Sequence, residues 1–271
     1  MGQLVCEEPG ASDKNAENNP ARTTLSGIKS VALLLHGLNQ HPRAFRALRK
    51  ELRAGGAVTC SLFLRDHIPL ASAKFSGSGK GWLEDVETAY NRLASQYPGI
   101  PRVAIGYSIG AALVLAFIEQ HPDAHFDKFV FFAPAFSLRW PARAVRLLTP
   151  LRSLRLSIPS GSPKSYRVHS STSLVSYRAA LDICDSISQV ADPQRLAHTP
   201  ALVFLNDEDE LIDSQGVRKW IKNNGLESWK VMPLDPKPDA DFPEHLFIDP
   251  ASLGKGPWDE LIKTLTNFLQ Q

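Results

Sequence analysis

Cysteine is scarce: the 271 residues contain three, Cys6, Cys60 and Cys184, far apart and without the C-x₂-C spacing of a metal site. So sparse and odd a set excludes a disulfide scaffold and a structural zinc, and the thiols are expected to be free, behaving as small hydrophobes. Long apolar runs are also missing. The longest, around Ile109–Ile118, is about half the ~20 residues that cross a bilayer, so no transmembrane helix is expected. No cationic start followed by an apolar run opens the chain, so no secretory signal is expected and the expected compartment is the cytoplasm. Charge of one sign is lacking overall, with 30 basic against 28 acidic residues. With so little net charge and no recognition motif, a nucleic-acid partner is not expected.

What is present suits one large α/β domain, since 43% of the residues are hydrophobic and the length is that of a single domain of this class. Residues 1–28 are poor in apolar side chains and are expected to form a flexible arm. From Ser30 onward short apolar runs alternate with helical periodicity. Val31–Leu35, Ala57–Leu64, Val103–Gly106, Phe129–Ala133, Ala201–Leu205 and Trp229–Met232 read as strands. Helices are expected after Pro42, from Trp82 to about Tyr97, over Ile109–Gln120, near Gln215–Asn223 and at the C-terminus. Such alternation predicts a doubly wound, mostly parallel sheet of about six strands. It breaks at Phe136–Thr199, so residues 29–137 and 199–271 are assigned to the core and 138–198 to an insertion. Gly77–Gly81 resembles a phosphate cradle only superficially and is read as a flexible loop. Trp82 and Phe129, Phe131 and Phe132 are read as core.

Gly106-Tyr107-Ser108-Ile109-Gly110 has the form G-x-S-x-G and stands between a strand and a helix, the context in which that motif carries meaning. A serine there sits on a tight turn that small flanking residues permit, and its hydroxyl is lifted above the carboxyl end of the sheet. Serine is a weak nucleophile, so a base must take its proton and an acid must orient the base. In such sheets the chain order is serine, acid, histidine. Of His125, His169, His198 and His245, which follow Ser108, only His245 also follows the acidic turn after Ala201–Leu205. That turn, Asn206–Asp213, offers five carboxylates. Asp209 is favoured because Leu211-Ile212 behind it would anchor it inward; Asp207 and Asp213 stay open, and the others are read as a solvated rim. Oxyanion donors are expected at the amides of Ile109, opening the helix, and Leu38, after His36-Gly37. His36 precedes the acid and is read as structural.

Together, His36-Gly37 after the first parallel strand, Trp82 and Asp85 heading a helix, Gly106–Gly110, the Asn206–Asp213 turn and His245 resemble α/β-hydrolase serine esterases. Within them they are most similar to the monoacylglycerol lipase and lysophospholipase-like branch. The likeness covers residues 29–136 and 199–271. It implies Ser108 as nucleophile, Asp209 as acid, His245 as base, Leu38 and Ile109 as oxyanion donors, and cleavage of carboxylic esters without a cofactor. Amide or thioester cleavage would use the same residues, and a non-catalytic binding protein on this fold is the rival of another class. Too few residues precede the first core strand for the usual leading hairpin, and no glycine run follows His36-Gly37.

The insertion departs most from average composition. From Lys128 to Leu181 there is no Asp or Glu, while arginines alternate with large apolar residues in Leu138–Ile158. This predicts a basic helical lid that either docks on the acidic body or meets a small-molecule ester, lipid among the candidates, or an anionic lipid surface.

Overall fold

The computed structural model describes residues 1–10, 27–67, 78–148, 156–238 and 241–271. Strand β1 is Gln3–Glu7, β2 is Ser30–Leu35 and β3 is Ala57–Phe63, with helix α1 (Arg46–Ala54) between the last two. Helix α2 (Gly79–Gln96) leads to β4 (Arg102–Tyr107), α3 (Ile109–Gln120) and β5 (Lys128–Phe132). The insertion holds α4 (Trp140–Ala144), the paired strands β6 (Ser157–Pro159) and β7 (Ser171–Ser173), α5 (Leu174–Ser186) and α6 (Pro193–Ala197). Then follow β8 (Ala201–Asn206), α7 (Ser214–Asn223), β9 (Trp229–Leu234), α8 (Pro250–Leu253) and α9 (Lys255–Gln270).

Strands such as Val31–Leu35 are apolar at successive positions and buried throughout, as expected of parallel strands covered on both faces. The seven strands run in the order β1-β3-β2-β4-β5-β8-β9, and all pairings but β1–β3 are parallel. The winding reverses between β2 and β4, which opens a crevice at their carboxyl ends. There Leu35 pairs with Gly106, so the turns that leave the two strands lie side by side. Trp82, Phe129, Phe131 and Phe132 are core, as read from the sequence.

Three expectations are corrected. Residues 1–28 are not an arm throughout, because Gln3–Glu7 adds a seventh, antiparallel strand. Within a polar segment Leu4 and Cys6 still pack on the core, and buried Glu7 pairs with Arg49 and Arg53 of α1; average composition conceals so short a strand. Nor are all the thiols free. Cys6 stands opposite Cys60 in the ladder and is disulfide-bonded to it, leaving Cys184 free. Finally, α2 starts at Gly79 rather than Trp82, with the Ser78 hydroxyl accepting the Gly81 N–H at 2.9 Å, so the glycines open a helix. Residues 11–26 of the arm, Gly77, and Leu151, Arg152, Leu154 and Arg155 of the basic segment lie outside the described residues.

Within the insertion α5 packs against α2 and α3. Its basic residues take protein partners: Arg146 pairs with Asp185 at 2.6 Å and Arg178 with Asp182 at 2.8 Å. Arg139 donates to the carbonyls of Asp207 at 2.6 Å and Ile212 at 3.3 Å, which joins the insertion to the acidic turn. Among the described residues no helix is long and apolar enough to cross a membrane.

Candidate active site

Strand β4 is followed by Ser108, whose φ of 54° lies in the left-handed region that non-glycine residues seldom enter. The turn is over-determined by its surroundings. Ser108 donates its N–H to Phe132 at 2.9 Å, while its carbonyl accepts from Ala111 and Ala135, each at 3.1 Å. The motif's glycines permit the approach of strand and helix: a Cβ on Gly106 would lie 2.5 Å from the Ala111 backbone, and one on Gly110 2.2 Å from the Leu35 carbonyl oxygen. Strain of this kind, held by close packing, is characteristic of reactive positions.

His245 reaches Ser108 from the loop between β9 and α8, with Nε2 at 3.1 Å from the Ser108 Oγ. Its Nδ1 is 2.8 Å from Asp209 Oδ2. A proton on Nδ1 directed at the carboxylate leaves Nε2 as the acceptor facing the serine hydroxyl. Asp209 is buried, and its other oxygen accepts the Leu211 and Ile212 amides at 2.8 and 2.9 Å. The acidic turn thus sorts its carboxylates by geometry. Asp209 points inward, Asp207 meets Arg218 on the surface, and Asp213 caps α7 by accepting the Gly216 N–H at 3.0 Å.

Burial of the His245 ring disfavours its charged form, but the adjacent Asp209 charge, its hydrogen bond and the nearby Glu210 charge together carry the imidazole pKa above its ordinary value. The peptide of His245 is held as firmly as its ring. Glu210 accepts the His245 N–H at 2.8 Å, the Tyr107 hydroxyl donates to the His245 carbonyl, and Asn206 donates to the Glu244 carbonyl at 2.9 Å. Sequence reasoning missed Tyr107 and Asn206 and left Glu210 in a solvated rim. Nothing in residue spacing signals these contacts, although Tyr107 does occupy the first variable position of the motif.

The amide of Ile109 opens α3 and so lies beyond the reach of intrahelical acceptors. In the turn after β2, Gly37 N–H donates to Gln40 Oε1 at 2.8 Å, Asn39 N–H to His67 Nε2 at 2.9 Å and Gln40 N–H to the Gly37 carbonyl at 3.1 Å. Leu38 N–H is left without an acceptor among the described residues. His36 is buried and structural. Burial pushes its pKa down to about 4 against its hydrogen bond to Gly37, and its Nε2 accepts the Leu64 N–H at 3.4 Å. Among the described residues no three His, Cys, Asp or Glu side chains converge as a metal site.

A serine on a strained strand-to-helix turn, an imidazole and a buried carboxylate in series, at the switch point of a mostly parallel sheet, define a serine hydrolase of the α/β-hydrolase superfamily. Residues 27–232 match the model of the serine aminopeptidase S33 family, and the chain belongs to that family. Among curated relatives it is 23% identical over 212 residues to the monoacylglycerol lipase of Mycolicibacterium smegmatis, covering 70% of this chain and 74% of that protein. It is 22% identical over 216 residues to the monoglyceride lipase of Homo sapiens, covering 69% and 68%. The crystal structure of Paleococcus ferrophilus monoacylglycerol lipase superposes with a TM-score of 0.68 at 15% identity, covering 98% of each chain.

Proposed function

We propose that the protein cleaves carboxylic esters through an acyl-enzyme on Ser108. The observation that carries this reading is the hydrogen-bonded series Ser108–His245–Asp209 beneath the strained turn. His245 Nε2 takes the Ser108 proton as Oγ attacks the ester carbonyl, and the oxyanion accepts from the Leu38 and Ile109 amides. Each such donor is worth roughly 3 kcal/mol in the transition state. The C–O bond then breaks and the alcohol leaves with the proton from imidazolium. Water, deprotonated by His245, attacks the acyl-enzyme, and the acid is released as Ser108 recovers its proton. Asp209 holds the working tautomer throughout. No step requires a cofactor.

The monoacylglycerol lipase and monoglyceride lipase among the protein's relatives support an acylglycerol-type ester as the substrate class. So does the insertion, whose Trp140 and Leu147 are 75% and 77% exposed beside the partly exposed Leu148 and Leu156. Such side chains on a basic segment suit a cover that meets amphiphilic substrate or an anionic lipid surface. Amide cleavage is the second reading, favoured by the family's description as serine aminopeptidases. The Cys6–Cys60 bond fits an oxidising compartment better than the cytoplasm.

A fluorophosphonate probe should label the wild-type protein at Ser108 and fail to label Ser108→Ala, and p-nitrophenyl esters should turn over faster than aminoacyl p-nitroanilides. Labelling elsewhere, or none, overturns the nucleophile assignment and leaves the non-catalytic reading.

A further inference from the structure

The turn that carries the Leu38 amide is bound to the insertion by the Asn39 side chain and by main-chain hydrogen bonds beside it. Asn39 is buried, with a φ of 56° that Asn tolerates better than most residues. Its amide group makes a two-point contact with the backbone of His169: Nδ2 donates to the His169 carbonyl at 2.9 Å, and Oδ1 accepts the His169 N–H at 2.9 Å. The main chain continues the seam, Val168 N–H donating to the Asn39 carbonyl at 3.0 Å and His41 N–H to the Tyr166 carbonyl at 2.8 Å. The inserted segment is anchored in turn at the start of α8, where the Tyr166 hydroxyl donates to Asp249 Oδ2 at 2.8 Å. Beneath Asn39, His67 Nε2 accepts its N–H; burial, with His36 and His169 nearby, holds that imidazole neutral and so keeps the lone pair available.

We propose that Asn39 is a positioning residue for the oxyanion turn, aiming the Leu38 amide by locking the turn to Tyr166–His169 of the insertion. The inference rests on the hydrolase reading above. Oxyanion donors act by being held in place before charge develops, and a loop alone does not hold a backbone amide to the required fraction of an ångström. Here the rigidity comes from outside the sheet. The part of the insertion around β6 and β7 therefore belongs to the catalytic frame, while Trp140–Leu148 supplies the exposed apolar surface.

The test is Asn39→Gly, which keeps the positive φ at no steric cost and removes both side-chain bonds, beside Asn39→Asp, which keeps the acceptor and loses the donor. Each is assayed on a short, soluble p-nitrophenyl ester with thermal unfolding measured in parallel. Loss of donor aim acts on the transition state alone, so kcat should fall about 10- to 100-fold in Asn39→Gly with KM within about twofold, and by a smaller factor in Asn39→Asp. A folded Asn39→Gly with wild-type kcat, or with raised KM and unchanged kcat, overturns the proposal. If Asn39→Gly does not fold, the same criteria applied to Asn39→Asp decide. Failure of the hydrolase reading is distinguishable, because the wild-type protein would then neither label at Ser108 nor hydrolyse the ester.

Discussion

Glu210 accepts the backbone N–H of His245 at 2.8 Å, so the imidazole has one carboxylate on its ring, from Asp209, and a second on its own peptide. Only the neutral ring can take the Ser108 proton, and the ring's pKa lies above the ordinary 6.5. The acidic limb of kcat/KM should therefore fall above pH 6.5. Glu210→Gln keeps an acceptor for the N–H but removes a charge, so the limb should move to lower pH. Because Glu210 is exposed, added salt should move the wild-type limb the same way and leave the variant's limb nearer its place. Coincident pH profiles for the two proteins would show that Glu210 acts only by position.

The acidic turn yields a graded series. Asp209→Asn should lower kcat by about 10³- to 10⁴-fold, since it removes the group that fixes the imidazole tautomer. Asp207→Asn should stay within about twofold of wild type. Asp213→Asn, at the cap of α7, should cost up to about 1 kcal/mol of stability and little activity. A larger kinetic loss in Asp207→Asn than in Asp209→Asn would reject the assignment.

Ser108, His245 and Asp209 were legible in the sequence because their cues are local or ordinal: a motif between strand and helix, and a chain order. The preference for Asp209 over its neighbours drew on the apolar pair behind it. Ile212 is indeed buried, though Leu211 is half-exposed and the closer anchor is the pair of amides bound by Asp209 itself. What escaped the sequence joins residues distant along the chain. Cys6 meets Cys60 only because a five-residue strand adds to the sheet edge, and Asn39 meets His169 only because the insertion folds back onto the turn after β2. No periodicity encodes such contacts, since each needs the sheet to exist first.

Gly110→Ala should be among the most damaging small substitutions in the molecule. The added methyl would press on the Leu35 carbonyl, which is backbone and cannot swing aside, so β2 and α3 must separate and carry the Leu38 and Ile109 amides apart. A loss of about 3 kcal/mol in denaturant unfolding is expected, together with a drop in kcat. Gly256→Ala in α9, where an added Cβ meets nothing within 4 Å, should instead be neutral or slightly stabilising.

The Cys6–Cys60 bond closes a loop across a sequence separation of 54 residues, for which the chain-entropy estimate is about 4 kcal/mol. Cys6→Ser, or a reductant with the wild-type protein, should lower the melting temperature by several degrees, while hydrolysis at 25 °C stays near wild type because β1 lies at the sheet edge opposite β9. A melting temperature indifferent to reductant would mean that the two thiols are not bonded in solution.

The basic insertion distinguishes an interfacial cover from a merely docked one. Arg139 is bound to the acidic turn, as docking on the body requires, while Arg146 and Arg178 pair with Asp185 and Asp182 inside the insertion itself, and Trp140 and Leu147 face solvent. Moving two such side chains from water into a lipid interface contributes on the order of 2 kcal/mol each. Trp140→Ser combined with Leu147→Ser should therefore weaken binding to vesicles containing anionic phospholipid and lower hydrolysis of a long-chain acylglycerol presented in them by about tenfold or more. The same double variant should hydrolyse p-nitrophenyl acetate at the wild-type rate, because neither side chain belongs to the triad or the oxyanion turn. Salt should weaken the vesicle effect in the wild-type protein if arginines such as Arg143 add an electrostatic part. Equal losses on both substrates would instead place these residues in the packing of the insertion and remove the case for a lipid-facing surface.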